Sequence, residues 1–268
     1  MPIIIKSDDE IATMREAGRI VAEVLELLAS AVRPGLKVAN LDRIVEEEFR
    51  RRSAVPTFLG YLGYPACVCV SINEEIVHGI PGKRVLREGD LVSIDLGATY
   101  QGFVADSALT VGAGRLSAEA QEIRDVTYQA TWEGIRAAKV GARLGEVSHA
   151  IQAYAEGHGY AVVREYVGHG VGREMHEEPQ IPNFGPADRG PVLKKGMVLA
   201  LEPMLTAGDW RTKKHEDGWT VSTMDGSLSA HFEHTVALTE HGPEVLTLRS
   251  DEPAPTNQPV TSTVAEGS

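Results

Sequence analysis

Cysteine and positive charge are both scarce in this chain of 268 residues. The two cysteines, Cys67 and Cys69, stand at i and i+2, which is too close along one strand for an unstrained disulfide. Their spacing also differs from that of a zinc knuckle. We therefore expect reduced thiols and a cytoplasmic protein, not a disulfide-stabilised secreted one.

Basic residues are too few to build a nucleic-acid-binding face. There are 26 Lys and Arg against 38 Asp and Glu, which gives a net charge of −12. The opening sequence MPIIIKSDDE has only three consecutive isoleucines before its charges begin, so we expect neither a secretory signal nor a membrane anchor. The expected partners thus exclude membranes and sequence-specific nucleic acid, and nothing in the sequence demands more than a monomer.

The chain does contain enough apolar sequence, 43% of its residues, to build a core. Helical periodicity follows Ser7, which forms a capping box with Glu10, and three further helices and several strands follow. After about residue 249 this periodicity stops and Pro, Ser and Thr become frequent. The sequence predicts one domain over residues 1–249 and a disordered C-terminal tail over residues 250–268.

Two segments resemble each other and indicate an internal duplication. REGDLVSID, which ends at Asp95, aligns without gaps with KKGMVLALE, which ends at Glu202, at an offset of 107 residues. A second match, PGLKVANLDRIV with VGARLGEVSHAI, has an offset of 106 residues. The matches predict two related halves with an acidic residue at the same place in each.

Two acids interrupt the apolar strands of a hairpin, Asp95 in LVSID and Asp106 in FVAD. Both are equidistant from the midpoint of Tyr100 and Gln101, so we expect them to be direct cross-strand partners. Two carboxylates that close repel each other unless they share a proton or bind a cation. The hairpin alone leaves both interpretations open.

Three further residues favour a metal. Glu202 ends the apolar run MVLALE, Glu233 lies in the alternating segment SAHFEHTVAL, and His169 is flanked by glycines. Taken alone, such an acid or histidine is more often an ordinary structural residue, but the five together form a much stronger pattern than any one of them. Four carboxylates with one imidazole suit two divalent ions, about 3.5–4 Å apart, such as Mn, Fe or Co.

The chain resembles the type I methionine aminopeptidases over roughly residues 3–249. The matching segments are FLGYLGYPACVCVSINEEIVHGIPG, GDLVSIDLGA, FVADSALTVG, GHGVGREMHEEPQIPNFG, VLALEPML and DGWTVSTMDGSLSAHFEHTV. The resemblance implies an α+β, pita-bread (creatinase/aminopeptidase-like) fold. In that fold, two pseudo-symmetric halves surround a central, mostly antiparallel sheet, with helices packed on its outer face.

The resemblance also implies the composition of a dinuclear metal centre. Its ligands would be Asp95, Asp106, His169, Glu202 and Glu233, with Asp106 and Glu233 bridging two Mn, Fe or Co ions, and Zn also allowed. A metal-bridging hydroxide would be the nucleophile, and Glu202 would also act as general base. His176 would stabilise the oxyanion, and His78 would contact the scissile peptide nitrogen.

The family's methionine pocket corresponds to a further set of residues. Besides His78 and His176, these substrate-binding residues are Tyr61, Tyr64, Cys69, Met175 and Trp219. Two positions depart from the pattern, because Met175 and Leu62 stand where many relatives have Phe and His. A monovalent cation near Asn73 and Ser229 is a further implication.

The function implied is removal of the N-terminal methionine from nascent proteins and peptides, with a preference for a small second residue and with the ribosome as a candidate partner. One alternative is an X-Pro aminopeptidase or prolidase, which shares the fold but often carries an extra N-terminal domain. Another is an inactive binding protein that contacts ribosome or RNA. Such a protein would be expected to lose metal ligands and gain basic surface, and this chain does neither.

Overall fold

The computed structural model of the chain describes residues 2–253. Within these residues lie four α-helices: α1 (Asp8–Ala31), α2 (Ala39–Arg51), α3 (Ala118–Ala137) and α4 (Leu144–Gly157). The strands that precede α3 are β1 (Val55–Pro56), β2 (Cys69–Ile72), β3 (Glu75–Val77), β4 (Asp90–Tyr100) and β5 (Phe103–Ala113). Those that follow α4 are β6 (Ala161–Val162), β7 (Gly168–Gly170), β8 (Glu177–Ile181), β9 (Val198–Leu201), β10 (Met204–Thr206), β11 (Thr212–Lys214), β12 (Val221–Thr223), β13 (Ser229–His231), β14 (His234–Thr239) and β15 (Gly242–Val245).

The four helices follow the apolar periodicity of the sequence. Helix α1 begins after the predicted N-cap, because the Ser7 side chain accepts from Glu10 N and the Glu10 side chain accepts from Ser7 N. Helix α3 begins after Ser117, whose hydroxyl accepts from Ala120 N. Among residues 2–253, no helix is both long and apolar enough to cross a membrane.

The strands form antiparallel pairs in four sheets. One of the two larger sheets has four strands, in which β4 pairs with β1, β2 and β5. The other has five strands in the order β15-β14-β9-β7-β8. Two three-stranded sheets, β13-β10-β6 and β11-β12-β3, complete the set. Helix α1 packs on β4 and β5, and α2 packs on α1 and β1. In the other half, α3 packs on β9, β10 and β13, and α4 packs on α3 and β6.

The predicted duplication has a structural counterpart. Shifting residues 91–94 of β4 by 107 positions gives β9, and shifting the range of α2 by 106 positions gives all but the first residue of α4. Each half therefore contains two helices, a pair of adjacent antiparallel strands (β4 with β5, and β9 with β14) and an apolar core. This arrangement confirms the predicted α+β fold with two related halves.

A hydrogen-bonded seam joins the two halves. Glu233 N donates to Ala108 O at 3.0 Å, and Ala108 N donates back to Glu233 O at 3.4 Å. The Thr235 hydroxyl accepts from Asp106 N at 2.9 Å and donates to Asp106 O at 2.8 Å. The seam therefore ties the middle of β5 to the start of β14 and brings acids from both halves together.

Contacts with the domain continue a few residues past 249. The Glu252 carboxylate accepts from Arg249 at 2.5 Å and lies 3.2 Å from His234 Nε2, and all three side chains are buried. The remainder of the predicted tail, residues 254–268, lies outside the described residues. The domain boundary and the disorder of the tail stay predictions.

Helix α1 packs against the chain after β15 at a glycine. A Cβ atom on Gly18 would lie 2.2 Å from Leu246 O, whereas a Cβ on Gly157 would have no atom within 4 Å. We predict that Gly18→Ala lowers the free energy of unfolding by about 1–3 kcal/mol, because backbone atoms must move apart. Gly157→Ala is the matched control and should be neutral or slightly stabilising. Urea denaturation of both variants measures the difference, and equal stabilities would contradict this account of the contact.

Candidate active site

The hairpin of β4 and β5 supplies the first two acids of the site, but in a different register from the one predicted. Asp95 lies opposite Ala108, and Asp106 lies opposite Gly97, so the prediction of direct cross-strand pairing is wrong. The reason is the turn, which consists of Gln101 and a following glycine with φ of 48° and 79°. A two-residue turn there moves the partner of Asp95 from residue 106 to residue 108.

The shift of two residues keeps both aspartates on one face of the sheet, because side chains alternate with a period of two. They are diagonal neighbours across the hairpin, and, after burial, the proximity of the Asp106 carboxyl group contributes to the raised pKa of Asp95. Asp106 is almost fully buried, whereas Asp95 is partly exposed where it faces a pocket. The two acids of the hairpin therefore meet as expected, although by a different route.

The second half supplies the other three predicted ligands. Ligand atoms of Asp106, His169 and Glu233 all lie within 4.8 Å of one another, and all three residues are buried. Glu202 directly follows β9, and its Oε1 lies 3.5 Å from His169 Nε2. His169 Nδ1 is 2.9 Å from the carbonyl of Gly170, which leaves Nε2 facing the acids.

Burial and mutual repulsion dominate the electrostatics of this cluster. Burial, and then the neighbouring carboxylates, raise the pKa of Asp95, Glu202 and Glu233 well above their usual range. Burial likewise raises the pKa of Asp106 to about 7. Burial lowers the pKa of His169 to about 3, so its imidazole is neutral at pH 7. The cluster is thus poorly compensated by the protein itself.

Three buried carboxylate oxygens indicate which kind of ligand would compensate the charge of this cluster. Asp95 Oδ1, Asp106 Oδ1 and Glu233 Oε1 are buried without a hydrogen-bond partner among residues 2–253. Buried carboxylate oxygens are normally hydrogen-bonded or coordinate a metal. Four carboxylates and a neutral imidazole form an oxygen-rich donor set that fits divalent cations. The residues therefore fit the group that the resemblance implies.

A mostly apolar cavity of about 130 Å³ opens beside the cluster, with Asp95 at one end. Its lining comprises Phe58, Tyr61, Leu62, Tyr64, Cys69, His78, Asp95, Met175, His176 and Trp219. Every residue predicted for the methionine pocket is in this set. Leu62, which is 80% exposed, lies at the rim, while Met175 is buried in the wall.

The two predicted accessory histidines lie on opposite loops of this cavity. His176 Nδ1 is 2.7 Å from the hydroxyl oxygen of Tyr61, and the His176 ring centroid is 4.3 Å from that of His169. His78 has a φ of 61° and meets Trp219 edge to face. Burial lowers the pKa of His78 to about 4, so it is neutral at pH 7.

Sequence reasoning missed two residues of the site. Phe58 lines the pocket and packs edge to face on Tyr64 with ring centroids 6.4 Å apart. His231 is buried, and its Nε2 has no hydrogen-bond partner within residues 2–253 but lies 4.0 Å from Glu202 Oε2. Its place two residues before Glu233 in an alternating segment was the available signal.

The predicted monovalent cation site has only part of its geometry. Asn73 O accepts from Ser229 N at 2.9 Å, so the two residues are neighbours. The Asn73 side chain already accepts from Leu91 N and donates to Asp90. A cation there stays a prediction.

Comparison with known proteins identifies the family. The family model that matches residues 12–240 is that of metallopeptidase family M24. The chain belongs to family M24. Membership of this metallopeptidase family implies the use of divalent metal ions, in agreement with the donor set described above.

Similar M24 proteins cover nearly the whole chain. A methionine aminopeptidase from Clostridium acetobutylicum is 51% identical over 92% of this chain and 99% of its own length. The solved structure of a methionine aminopeptidase from Thermotoga maritima is 48% identical, with a TM-score of 0.91 over 92% of this chain and 99% of its own. A prolidase from Pyrococcus furiosus is 25% identical, with a TM-score of 0.72, and this chain covers 65% of it. The predicted resemblance and pita-bread fold are confirmed.

The buried acids generate a prediction about metal binding. Asp106→Asn should weaken the binding of Mn²⁺ by at least about tenfold, since even loss of a group that only orients a ligand typically costs 10–100-fold. Isothermal titration of the metal-free protein with Mn²⁺ measures the affinity. Asp125→Asn, an exposed change on α3 with the same chemistry, is the control. Wild-type affinity in Asp106→Asn would remove this residue from the proposed ligands.

Proposed function

We propose that this M24 protein is a methionyl aminopeptidase that removes the N-terminal methionine from nascent proteins and peptides in the cytoplasm. The observation that carries the proposal is an apolar cavity that ends at a cluster of buried acids. A preference for a small second residue, the ribosome as a partner and a monomeric state belong to the same proposal and rest on the family resemblance.

The size and chemistry of the cavity support a methionine side chain as its occupant. At about 130 Å³ it is well below the ~300–1,000 Å³ of sites for drug-sized ligands and suits a single side chain. Aromatic rings and the Met175 thioether form much of its surface. An unbranched, polarizable thioether can fit such an irregular apolar space and make favourable contacts with aromatic rings.

We propose that the five predicted ligands would hold two divalent ions, with Asp106 and Glu233 the acids that the resemblance assigns to both ions. The list is Asp95, Asp106, His169, Glu202 and Glu233. Bound there, the ions would supply Lewis acidity and lower the pKa of a water so that it can attack the peptide carbonyl at neutral pH. The oxygen-rich donor set favours Mn, Fe or Co over a thiolate-bound zinc.

Glu202 is the proposed general base. Its carboxylate lies at the edge of the cluster, 3.5 Å from His169 Nε2, and remains partly accessible. It is therefore placed to take a proton from the attacking water and to pass it to the leaving amine. Asn183 fixes the backbone of Glu202 by donating to its carbonyl at 3.1 Å.

The two accessory histidines act as neutral hydrogen-bonding groups in this proposal. The Tyr61 hydroxyl holds His176 Nδ1, which orients the ring so that it can stabilise the developing oxyanion. His78 is neutral at pH 7 because burial lowers its pKa, so it can contact the scissile peptide nitrogen without adding charge. Both rings line the cavity, as these roles require.

Substrate choice separates this proposal from the prolidase alternative. Loaded with Mn²⁺ or Co²⁺, the enzyme should cleave a Met-Ala-Ser peptide about 100-fold or more faster, in kcat/KM, than an Ala-Pro peptide. Chromatography of the released first residue over time measures both rates. The reverse ranking would favour an X-Pro peptidase, and no cleavage of either peptide would favour an inactive binding protein.

Removing His176 tests the proposed oxyanion contact. His176→Ala should lower kcat on Met-Ala-Ser by about 10²–10³-fold, as loss of an oxyanion donor does elsewhere, while the metal content stays unchanged. Steady-state kinetics and metal analysis on the same sample provide the two readouts. His241→Ala, an exposed histidine, is the control and should behave as wild type. A loss of metal along with kcat would assign His176 to the metal centre instead.

A further inference from the structure

A buried ion pair links the N-terminal segment to the loop beside the candidate active site. Lys6 Nζ lies 2.6 Å from Glu177 Oε2, and the two side chains are only 3% and 4% exposed. Their separation in sequence is 171 residues. Lys6 is itself fixed, because its backbone N–H donates to Gly196 O at 2.7 Å.

The second carboxylate oxygen of Glu177 organises the loop in front of it. Glu177 Oε1 accepts from Arg173 N at 2.9 Å and from Glu174 N at 3.3 Å. One carboxylate therefore binds the N-terminal segment through one oxygen and the loop backbone through the other. The position of the loop of residues 172–177 therefore depends on Lys6.

A second contact between the same two segments reinforces this link. The Arg173 guanidinium donates to Glu10 at 3.2 Å and stacks on the Phe103 ring at 4.3 Å. Glu10 is the residue that also completes the capping box of α1. The start of α1 and the residues before it thus contact the loop at two charged positions.

The loop carries two residues of the cavity wall. Met175 and His176 both line the cavity and lie directly before Glu177. The ion pair packs closely against the backbone of the loop, since a Cβ atom on Gly172 would lie 2.5 Å from both Glu177 Oε1 and Lys6 Cε. A movement of the ion pair would therefore move the loop backbone, and with it the cavity wall.

Stability alone does not account for a pair buried this deeply. A buried salt bridge often contributes no more than well-packed apolar residues would, because both charges lose their hydration. What the pair supplies is geometry, since a carboxylate held at both oxygens fixes the distance between two segments.

We propose that Lys6 and Glu177 are positioning residues of the catalytic pocket, which hold the loop of residues 172–177 so that Met175 and His176 face the substrate. This inference rests on the proposed aminopeptidase function. It assigns the N-terminal segment a role in substrate binding although that segment does not line the cavity.

The test uses the full-length, metal-loaded enzyme and three variants: Lys6→Met, Glu177→Gln and the double variant Lys6→Met/Glu177→Gln. Because a single change leaves one buried charge alone, the single variants are expected to lose stability. The double variant keeps the volume and the accepting oxygen but carries no charge, so its Tm should return to within about 2–4 °C of wild type, the shift that ~1 kcal/mol produces in a domain of this size.

Kinetics should not recover with stability. In the double variant, kcat/KM for Met-Ala-Ser should remain about 10–100-fold below wild type, the scale of a misplacement of ~1 Å, with metal content unchanged. Recovery of both stability and kcat/KM in the double variant would overturn the inference. The matched control is Arg15→Met/Glu244→Gln, which removes an exposed ion pair between α1 and β15 and should leave kcat/KM at the wild-type value.

Hydrogen exchange gives a readout that does not depend on activity. The amides of Arg173 and Glu174 should exchange about tenfold faster in Glu177→Gln and in the double variant than in wild type, because their acceptor is weaker and less fixed. Unchanged protection of these amides would overturn the inference whatever the kinetics. Failure of the wild-type enzyme to cleave Met-Ala-Ser would count against the proposed function, and the exchange data would still decide the role of the ion pair.

Discussion

The seam between β5 and the start of β14 is the interaction on which the candidate active site depends. Ala108 and Glu233 exchange reciprocal backbone hydrogen bonds, and the Thr235 hydroxyl binds both the backbone N–H and the backbone carbonyl of Asp106. These contacts replace a regular strand pairing. Each half of the protein has its own helices and an apolar core, and a third apolar cluster spans both halves, with Val104 of β5 in the same cluster as Val198 of β9 and Ala237 of β14. Because the seam fixes Asp106 against Glu233, a small slip along it would separate the two acids proposed to bridge the metals.

The same seam brings together buried carboxylates whose negative charge the protein itself compensates poorly. It gathers carboxylates into a buried space where their pKa values rise and where three oxygens lack partners among residues 2–253. Without a cation the cluster must hold protons or lose stability as its acids ionise. Binding of divalent ions would remove this repulsion, so metal affinity and folding stability are expected to be linked.

The sequence predicted what depends on local pattern. Acids inside apolar runs, the capping box of α1 and the repeat with an offset of 107 residues indicated two related halves and a set of five candidate ligands. Of these five, the structure brings ligand atoms of Asp106, His169 and Glu233 within 4.8 Å of one another. It did not predict the register of the hairpin. The register depends on which two residues form the turn, and this follows from the positive φ angles of Gln101 and Gly102. It also missed His231, whose signal was its place two residues before Glu233 in an alternating segment. The pair of Lys6 with Glu177 gave no local signal, because its partners are 171 residues apart in sequence.

Position in the fold separates the acids proposed for catalysis from the wall of the proposed substrate pocket. Asp95 and Asp106 lie on the long strands β4 and β5, Glu233 lies at the seam and Glu202 follows β9, and a prolidase of known structure is similar in fold. Much of the cavity wall, by contrast, comes from loops: the turn of Tyr61–Gly63, the segment before Glu177 and the residue Trp219. Loops need separate support to hold a wall in place, because no regular strand pairing fixes them. Contacts outside the site, such as the buried pair formed by Lys6 with Glu177, can therefore support the cavity wall without any change in the proposed metal ligands.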